Sequence, residues 1–385
     1  MKLFCQAYAG TRVLLTGDTG FKGSWLAYWL TRLGAEVTGF ALPAEYVSGP
    51  FKLARLDRLI RHVDGDVRNA AAVERAVRKA APRVIFHLAA QSLVRESYRT
   101  PAGTAATNIL GTVHVLEAVR KLNRPCAVVV VTSDKCYENR EQAYYLYRET
   151  DRMGGHDLYS ASKGCAELLV AAYRRSFFDP GTRVRVATAR AGNVFGPGDW
   201  AKDRILPDAM RALMTGRPLV VRNPRAVRPW QHVLEPLAAY LWLGARLLAE
   251  DGKVFAAAWN FGPRPRDVHT VSELVNRVVA AWGRGRWRAG RAARDPHEAG
   301  SLQLAIQKAV SKLNWRPVWN FEEAVRRTVE GYRALAACRT RPERARAVLG
   351  HEIEAYVRSA AEFGLPWAGG PARRRDTRRS RPKER

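Results

Sequence analysis

The sequence predicts a doubly wound α/β fold, and three observations carry the prediction. Short apolar segments alternate with segments of helical periodicity through the first half, the pattern of strand–helix units joined by right-handed crossovers. One apolar segment, residues 127–132, reads Ala-Val-Val-Val-Val-Thr. It is apolar on both faces, as suits a parallel strand covered by helices on each side. Gly17, Gly20 and Gly23 fall between the first strand and the first helix, where the chain must turn tightly. Residues 1–192 are therefore read as a Rossmann-type domain. After Gly192 the pattern loosens, with Gly196-Pro197-Gly198, Pro207, Gly216, Pro218, Pro224 and Pro229. Residues 193–368 are read as an interleaved, smaller and mostly helical lobe, some of whose segments complete the sheet. Residues 369–385 are read as a basic, disordered tail, because they lack apolar periodicity.

Taken in order, residues 12–16 form the first buried strand and 23–33 an apolar helix stopped by Gly34. Trp25 and Trp29 lie one helical turn apart and are read as core. Residues 36–40 are the second strand, 73–81 a helix and 83–88 a strand. Residues 104–122 carry apolar positions at helical spacing, 158–175 form a helix and 184–189 a strand. Beyond Gly192 the spacing predicts helices at 203–214, 235–248, 271–282 and 321–335, with short strands at 219–222 and 257–261.

Composition narrows the function classes. At 385 residues with 47% hydrophobic content, the chain can bury a large core. The longest apolar run, 237–249, is broken by Arg246, so no membrane span is expected. Residues 1–10 hold one lysine and no long apolar run, and no signal peptide is expected. The five cysteines are scattered without metal-ligand or disulfide spacing, which points to a reducing cytoplasm. Cys136 is read as a small buried hydrophobe, with a reactive thiol as the alternative. His87, His156, His232 and His297 are not spaced as metal ligands. The net charge of +28 is partly in the tail, where residues 373–385 carry eight Arg/Lys against Asp376 and Glu384. The remainder is diffuse, which argues against a nucleic-acid stripe and favours a small anionic substrate.

Two motifs carry chemistry. The turn Thr16-Gly17-Asp18-Thr19-Gly20-Phe21-Lys22-Gly23 suits a dinucleotide pyrophosphate: side chains would block the approach, and a helix N-terminus offers N–H groups and a positive dipole end. The second strand ends Ala41-Leu42-Pro43 without a carboxylate, leaving NAD and NADP both open. Asp66 and Val67 suit an adenine contact or an ordinary polar turn. Leu88, Ala89 and Ala90 are small enough for close approach of a cofactor. Downstream, Tyr159 and Lys163 share one helix face. An ammonium beside a phenol, with a nicotinamide cation near, stabilises phenolate and makes tyrosine a base. Ser133, Asp134 and Lys135 end the most apolar strand, where α/β enzymes place their chemistry.

Those residues belong to a longer resemblance. Gly20-Phe21-Lys22-Gly23-Ser24-Trp25-Leu26, Thr132 to Tyr137, Gly154-Gly155-His156-Asp157, Tyr159 to Glu167, Arg190 to Trp200, Arg228 to Val233 and His297-Glu298-Ala299 resemble the nucleotide-sugar 4,6-dehydratases of the extended short-chain dehydrogenase/reductase family. The likeness spans residues 12–332. Most of that family has Thr-Asp-Glu where this chain has Ser133-Asp134-Lys135, and the lysine form resembles the CDP-glucose branch.

The resemblance implies bound NAD and a redox-neutral dehydration of CDP-glucose. Tyr159 would take the C4 hydroxyl proton, Lys163 lower its pKa, Ser133 polarise C4–O and Asp134 protonate the leaving C6 hydroxyl. Lys135 would stand at C5 as base or as enolate stabiliser. Asn193 and Arg228 would hold the sugar diphosphate, with Arg204 and Arg222 weaker candidates, and Arg95 and Tyr98 would line the sugar side. It implies a homodimer, or a tetramer, through helices 104–122 and 158–175, and a deoxysugar for a surface polysaccharide such as O-antigen. Two positions depart from the family: Asp18 brings a carboxylate near the pyrophosphate, and Ala305 replaces a frequent Asp. A rival reading is an epimerase or reductase on a nucleotide sugar, which needs Tyr159 and Lys163 but not Asp134 and Lys135. A rival of another class is a dinucleotide-binding regulator.

Overall fold

Seven parallel strands make the central sheet: β1 (Arg12–Thr16), β2 (Glu36–Ala41), β3 (Arg61–Asp64), β4 (Val84–His87), β5 (Cys126–Val131), β6 (Val184–Ala191) and β7 (Ala258–Phe261). These come from a computed structural model that describes residues 2–142, 144–178, 181–290, 301–338 and 340–369. The order across the sheet is β3-β2-β1-β4-β5-β6-β7, and every neighbouring pair is parallel. The chain winds outward from β1 to β3, then returns to lay β4 on the other side of β1. This reversal opens a crevice above the carboxyl ends of the strands.

Strand side chains alternate between faces, and each face is covered. Val13, Leu15, Val129 and Val131 join one buried cluster with α1 (Phe21–Arg32). Leu14, Val128 and Val130 join another with α2 (Ala70–Ala80), α3 (Gly111–Arg120) and α4 (Leu158–Ser176). A third cluster packs α5 (Ile205–Met214), α7 (Val271–Trp282) and α8 (Phe321–Cys338) around Trp230. Between α5 and α7 in the chain, α6 (Leu234–Leu248) packs into the first cluster. Trp25 and Trp29 are fully buried, as expected.

Three elements differ from the sequence reading. The helix over 104–122 is not continuous: residues 101–105 are α-helical, Ala106–Leu110 form a π turn, and α3 follows. The wider turn aims Asn108 inward, where it bonds the Gln91 backbone N and O, each at 2.9 Å, and Ser162 Oγ at 2.9 Å. Helix α1 begins at Phe21 rather than residue 23, with Gly20 as its N-cap. A further helix, α9 (Pro342–Glu362), buries Leu349, Ile353 and Tyr356 against the first cluster. His297 and the basic tail lie outside the described residues.

Candidate active site

A cavity of about 1040 Å³ opens over the carboxyl ends of β1 to β6. At its cofactor end Gly17 has φ +77, and a Cβ there would stand 2.8 Å from Ala89 N. A Cβ at Gly23 would stand 1.9 Å from the Gly17 carbonyl oxygen. The turn therefore tolerates no side chain at either position, and it lies flat against Leu88 and Ala89. Helix α1 starts at this point and presents its first-turn N–H groups, which have no intrahelical partners. Gly20, Phe21, Asp66, Val67 and Ala90 line the same cavity. Asp66 makes a polar turn as well, accepting from Arg68 N and Arg68 Nε at 2.8 Å each. A cradle of this shape fits a dinucleotide.

At the other end, Asp157 caps α4 by accepting from Ser160 N at 2.9 Å. That fixes the first turn and sets Tyr159 and Lys163, both buried, toward the loop after β5. The Ser133 hydroxyl donates to Asp134 Oδ1 at 3.0 Å. Ser133 is also the hydrogen-bonding neighbour that draws the Tyr159 pKa down. Asp134 is buried, its Oδ2 has no partner, and a Cβ at Gly192 would stand 3.1 Å from that oxygen. Burial raises its pKa, against Lys135, Ser133 and Arg228. The side chain is thus biased toward the acid form.

Burial governs the titration of Tyr159 in the protein without cofactor. Its pKa is pushed up to about 12, chiefly by burial and then by Asp134 and Asp157, against Ser133 and Arg204. Lys163 donates to the Val131 carbonyl at 3.4 Å instead of acting on the phenol. Its own pKa is brought down to about 8 by burial. Without a cofactor the tyrosine is a neutral phenol.

Five of the six predicted substrate residues reach this cavity, Arg95, Asn193, Arg204, Arg222 and Arg228, together with Ser133, Asp134, Lys135, Tyr159 and Lys163. Arg204 pairs with Asp199 at 3.1 Å and donates to Ser92 Oγ at 3.1 Å. Arg222 pairs with Asp203 at 3.1 Å, and Arg95 stands 3.9 Å from the same carboxylate. With Arg228, four guanidiniums thus line the cavity, groups whose planar donors suit a diphosphate. Tyr98 does not take the place expected of it: it is 46% exposed and does not line the cavity. Cys136 is fully buried with its thiol pKa raised by burial, which makes it inert. His87 and His232 are core side chains held neutral, with pKa values brought down to about 3 by burial. Asp199, Asp203 and Lys22 also line the cavity and were not singled out from sequence. The first stands inside the stretch from Arg190 to Trp200, while Asp203 carries no local signal.

The family described as GDP-mannose 4,6 dehydratase matches residues 14–328. CDP-glucose 4,6-dehydratase of Salmonella typhimurium is 46% identical over 331 residues, 85% of this chain and 92% of that protein. The chain belongs to the nucleotide-sugar 4,6-dehydratase family. A dTDP-glucose 4,6-dehydratase of Mycobacterium tuberculosis is 27% identical over 336 residues, 84% of this chain and 93% of that one. Among solved structures, the dTDP-glucose 4,6-dehydratase of Streptomyces venezuelae with NAD bound superposes with a TM-score of 0.71 at 25% identity, covering 84% of this chain and 97% of that chain. The UDP-glucose 4-epimerase of Thermus thermophilus in complex with NAD gives 0.71 at 25% identity, covering 84% and 99%. Asp18, one of this chain's departures from the family pattern, does not line the cavity. The carboxylate is fully buried, turned under β2 to His62 Nδ1 at 2.7 Å. Ala305 is buried and bonds through its N–H to the Tyr147 carbonyl at 2.8 Å.

Proposed function

We propose that the chain is a hydro-lyase that converts CDP-glucose to CDP-4-keto-6-deoxyglucose with NAD kept bound. The observation that carries this reading is the buried, partnerless Asp134 Oδ2 beside Ser133 and Tyr159. A proton held there is idle in an epimerase and needed in a dehydratase. The CDP-glucose assignment rests on the 46% identity to a protein of that name.

NAD over the Gly17–Gly23 turn would supply a hydride acceptor that later becomes the donor. Tyr159 takes the proton of the sugar C4 hydroxyl, and Ser133 holds the C4 oxygen. The phenol starts high, so the base forms only when positive charge adjoins it, as a bound nicotinamide cation provides. Lys163 holds the cofactor side of the cavity. Once C4 is a ketone the C5 proton is acidic; Lys135 takes it as the C6 hydroxyl departs and gives it back to C5 when hydride returns to C6. Asp134 in its acid form gives its proton to the departing C6 hydroxyl. Arg228, Arg222, Arg204, Arg95 and Asn193 hold the diphosphate and sugar.

The division at residue 192 into a dinucleotide-binding part and a substrate lobe over 193–368 belongs to this reading. So does a homodimer, or a tetramer, through α3, α4 and the π turn, supported by Leu110 and Leu168, which are 52% and 59% exposed. A cytoplasmic enzyme is supported by five unpaired cysteines. Among the described residues no helix is long and apolar enough to cross a membrane. Proton NMR of the purified protein with CDP-glucose, UDP-glucose, dTDP-glucose and GDP-mannose tests the reading. A 6-deoxy methyl signal from CDP-glucose is expected; a C4 epimer instead would replace the dehydratase with an epimerase.

A further inference from the structure

Glu167 and Arg190 form a buried ion pair to which the reaction above gives no task. Tyr159, Lys163 and Glu167 follow one another at intervals of four residues on α4, so the carboxylate lies beyond the base on the same helix face. Its Oε2 accepts from Arg190 Nη2 at 2.7 Å and from the Thr188 hydroxyl at 2.8 Å, both on β6. Its Oε1 accepts from the Thr132 hydroxyl at 2.5 Å. Arg190 reaches the other way. Its Nη1 donates to the Tyr137 hydroxyl at 2.6 Å and to the Glu149 carbonyl at 3.2 Å. The Tyr137 hydroxyl donates in turn to Asn260 Oδ1 on β7 at 2.7 Å. Burial works against the Arg190 charge, and Glu167 overcomes it.

Thr132 and Tyr137 bracket the segment that carries Ser133, Asp134 and Lys135. One ion pair thus grips both ends of that segment and roots them in the helix that carries Tyr159 and Lys163. Between the ends, Asp134 has few anchors of its own: Oδ1 accepts from Ser133 within the segment, and Oδ2 has no partner. Where Asp134 points therefore follows from where the ends are held. A buried ion pair gains little stability over a well-packed apolar pair, but its charge-assisted hydrogen bonds fix distance and direction.

We propose that Glu167, acting through Arg190, is a positioning residue that holds Asp134 and Lys135 in register with Tyr159, so that loss of water keeps pace with hydride transfer. Hydride uptake needs Tyr159 and the cofactor, and α4 keeps its Asp157 cap when the pair is lost. Elimination needs Asp134 and Lys135, whose segment is tied at both ends to the pair. Loosening the pair slows elimination more than oxidation. The inference rests on the dehydratase reading of this cavity.

The test is turnover of CDP-glucose by the purified protein and three variants. Reduced-nicotinamide absorbance reports the redox state of the bound cofactor, and proton NMR reports the product. Glu167→Gln keeps the shape and removes the charge. Its kcat should fall by about 10²-fold, the scale of a misplacement of about 1 Å, with KM little changed and NADH standing on the enzyme during turnover. Thr132→Val combined with Tyr137→Phe leaves the ion pair in place and releases both ends of the segment. It should show the same standing NADH, and it decides the matter if Glu167→Gln does not fold. Thr188→Val takes one hydrogen bond from the same carboxylate and touches neither end, so it should match the wild type in kcat and in redox state. No standing NADH in the Thr132/Tyr137 double variant, or as much of it in Thr188→Val, would overturn the role. If the wild type forms no 6-deoxy product from CDP-glucose, the dehydratase reading itself falls and this role with it.

Discussion

Asp18 Oδ2 and His62 Nδ1 meet at 2.7 Å beneath the glycine turn, in a space that exists because residue 39 is glycine. A Cβ at Gly39 would stand 2.2 Å from that carboxylate oxygen. Burial raises the Asp18 pKa, and the hydrogen bond from His62 works against it. The same bond raises the His62 pKa above its ordinary value. The ion pair therefore exists in the window between the two raised pKa values. The charge contribution is lost as pH rises through that of His62; on the acid side protonating Asp18 ends the pairing but also relieves the buried charge that raised its pKa, so that step does not itself destabilise the fold. Removing the imidazole by His62→Ala leaves a buried carboxylate alone and should cost about 3 kcal/mol. In denaturant melts the gap from wild type should be largest just below the His62 pKa. It should narrow at high pH without closing, because neutral imidazole still donates from Nδ1. A gap that widens as pH rises through the His62 pKa would contradict the pairing.

Gly23→Ala puts a methyl group where only 1.9 Å separates it from the Gly17 carbonyl. The turn must open, and dinucleotide affinity should drop at least tenfold while the fold of the sheet persists. Titration with NADH, alongside far-ultraviolet circular dichroism, separates the two effects.

Tyr159→Phe keeps the ring and removes the base. Turnover should fall by about 10²–10⁴-fold with little change in substrate affinity. In the wild type kcat should climb with pH, since the ionised phenol is the working form and its pKa starts at about 12 in the cofactor-free protein. A flat profile below neutrality would assign the proton to another group.

Asp134→Asn and Lys135→Ala act after C4 oxidation. Both proteins should turn bound NAD to NADH on addition of CDP-glucose and then stall, visible as lasting absorbance near the reduced-nicotinamide band without 6-deoxy product. Normal product from Lys135→Ala would remove that residue from the elimination step.

Cations at the diphosphate should show in binding rather than chemistry. Arg228→Met should raise KM for CDP-glucose by about tenfold, the scale of one charge-assisted hydrogen bond lost, with kcat little changed. A fall in kcat alone would place the guanidinium at the reacting carbons instead.

What the sequence discloses follows from how local each signal is. The Val128–Val131 run and the turn from Gly17 to Gly23 are short-range patterns, and β5 and a tight glycine turn opening onto the cavity stand where they indicate. Tyr159 and Lys163 are four residues apart, so their shared face is legible from spacing alone. Arg204 is different: its place depends on Asp199 and on Ser92, the second contact spanning more than a hundred residues. In a chain this rich in arginine nothing local marks it out. The π turn at Ala106–Leu110 inserts one residue into an otherwise regular helix, a shift too small for apolar periodicity to reveal. The high starting pKa of Tyr159 is hidden for a related reason, because burial is a property of the whole fold and no local spacing records it.

Strand β7 has a bearing on how the chain is made. Residues Ala258–Phe261 pair with β6 along Thr188–Ala191, yet they are synthesised some seventy residues later. A nascent polypeptide that has left the ribosome only as far as Gly192 holds an apolar strand whose outer N–H and C=O groups await a neighbour. Translation must run well into the second half before that margin is sealed, so a product truncated at residue 192 would expose an aggregation-prone border in place of an independent nucleotide-binding module.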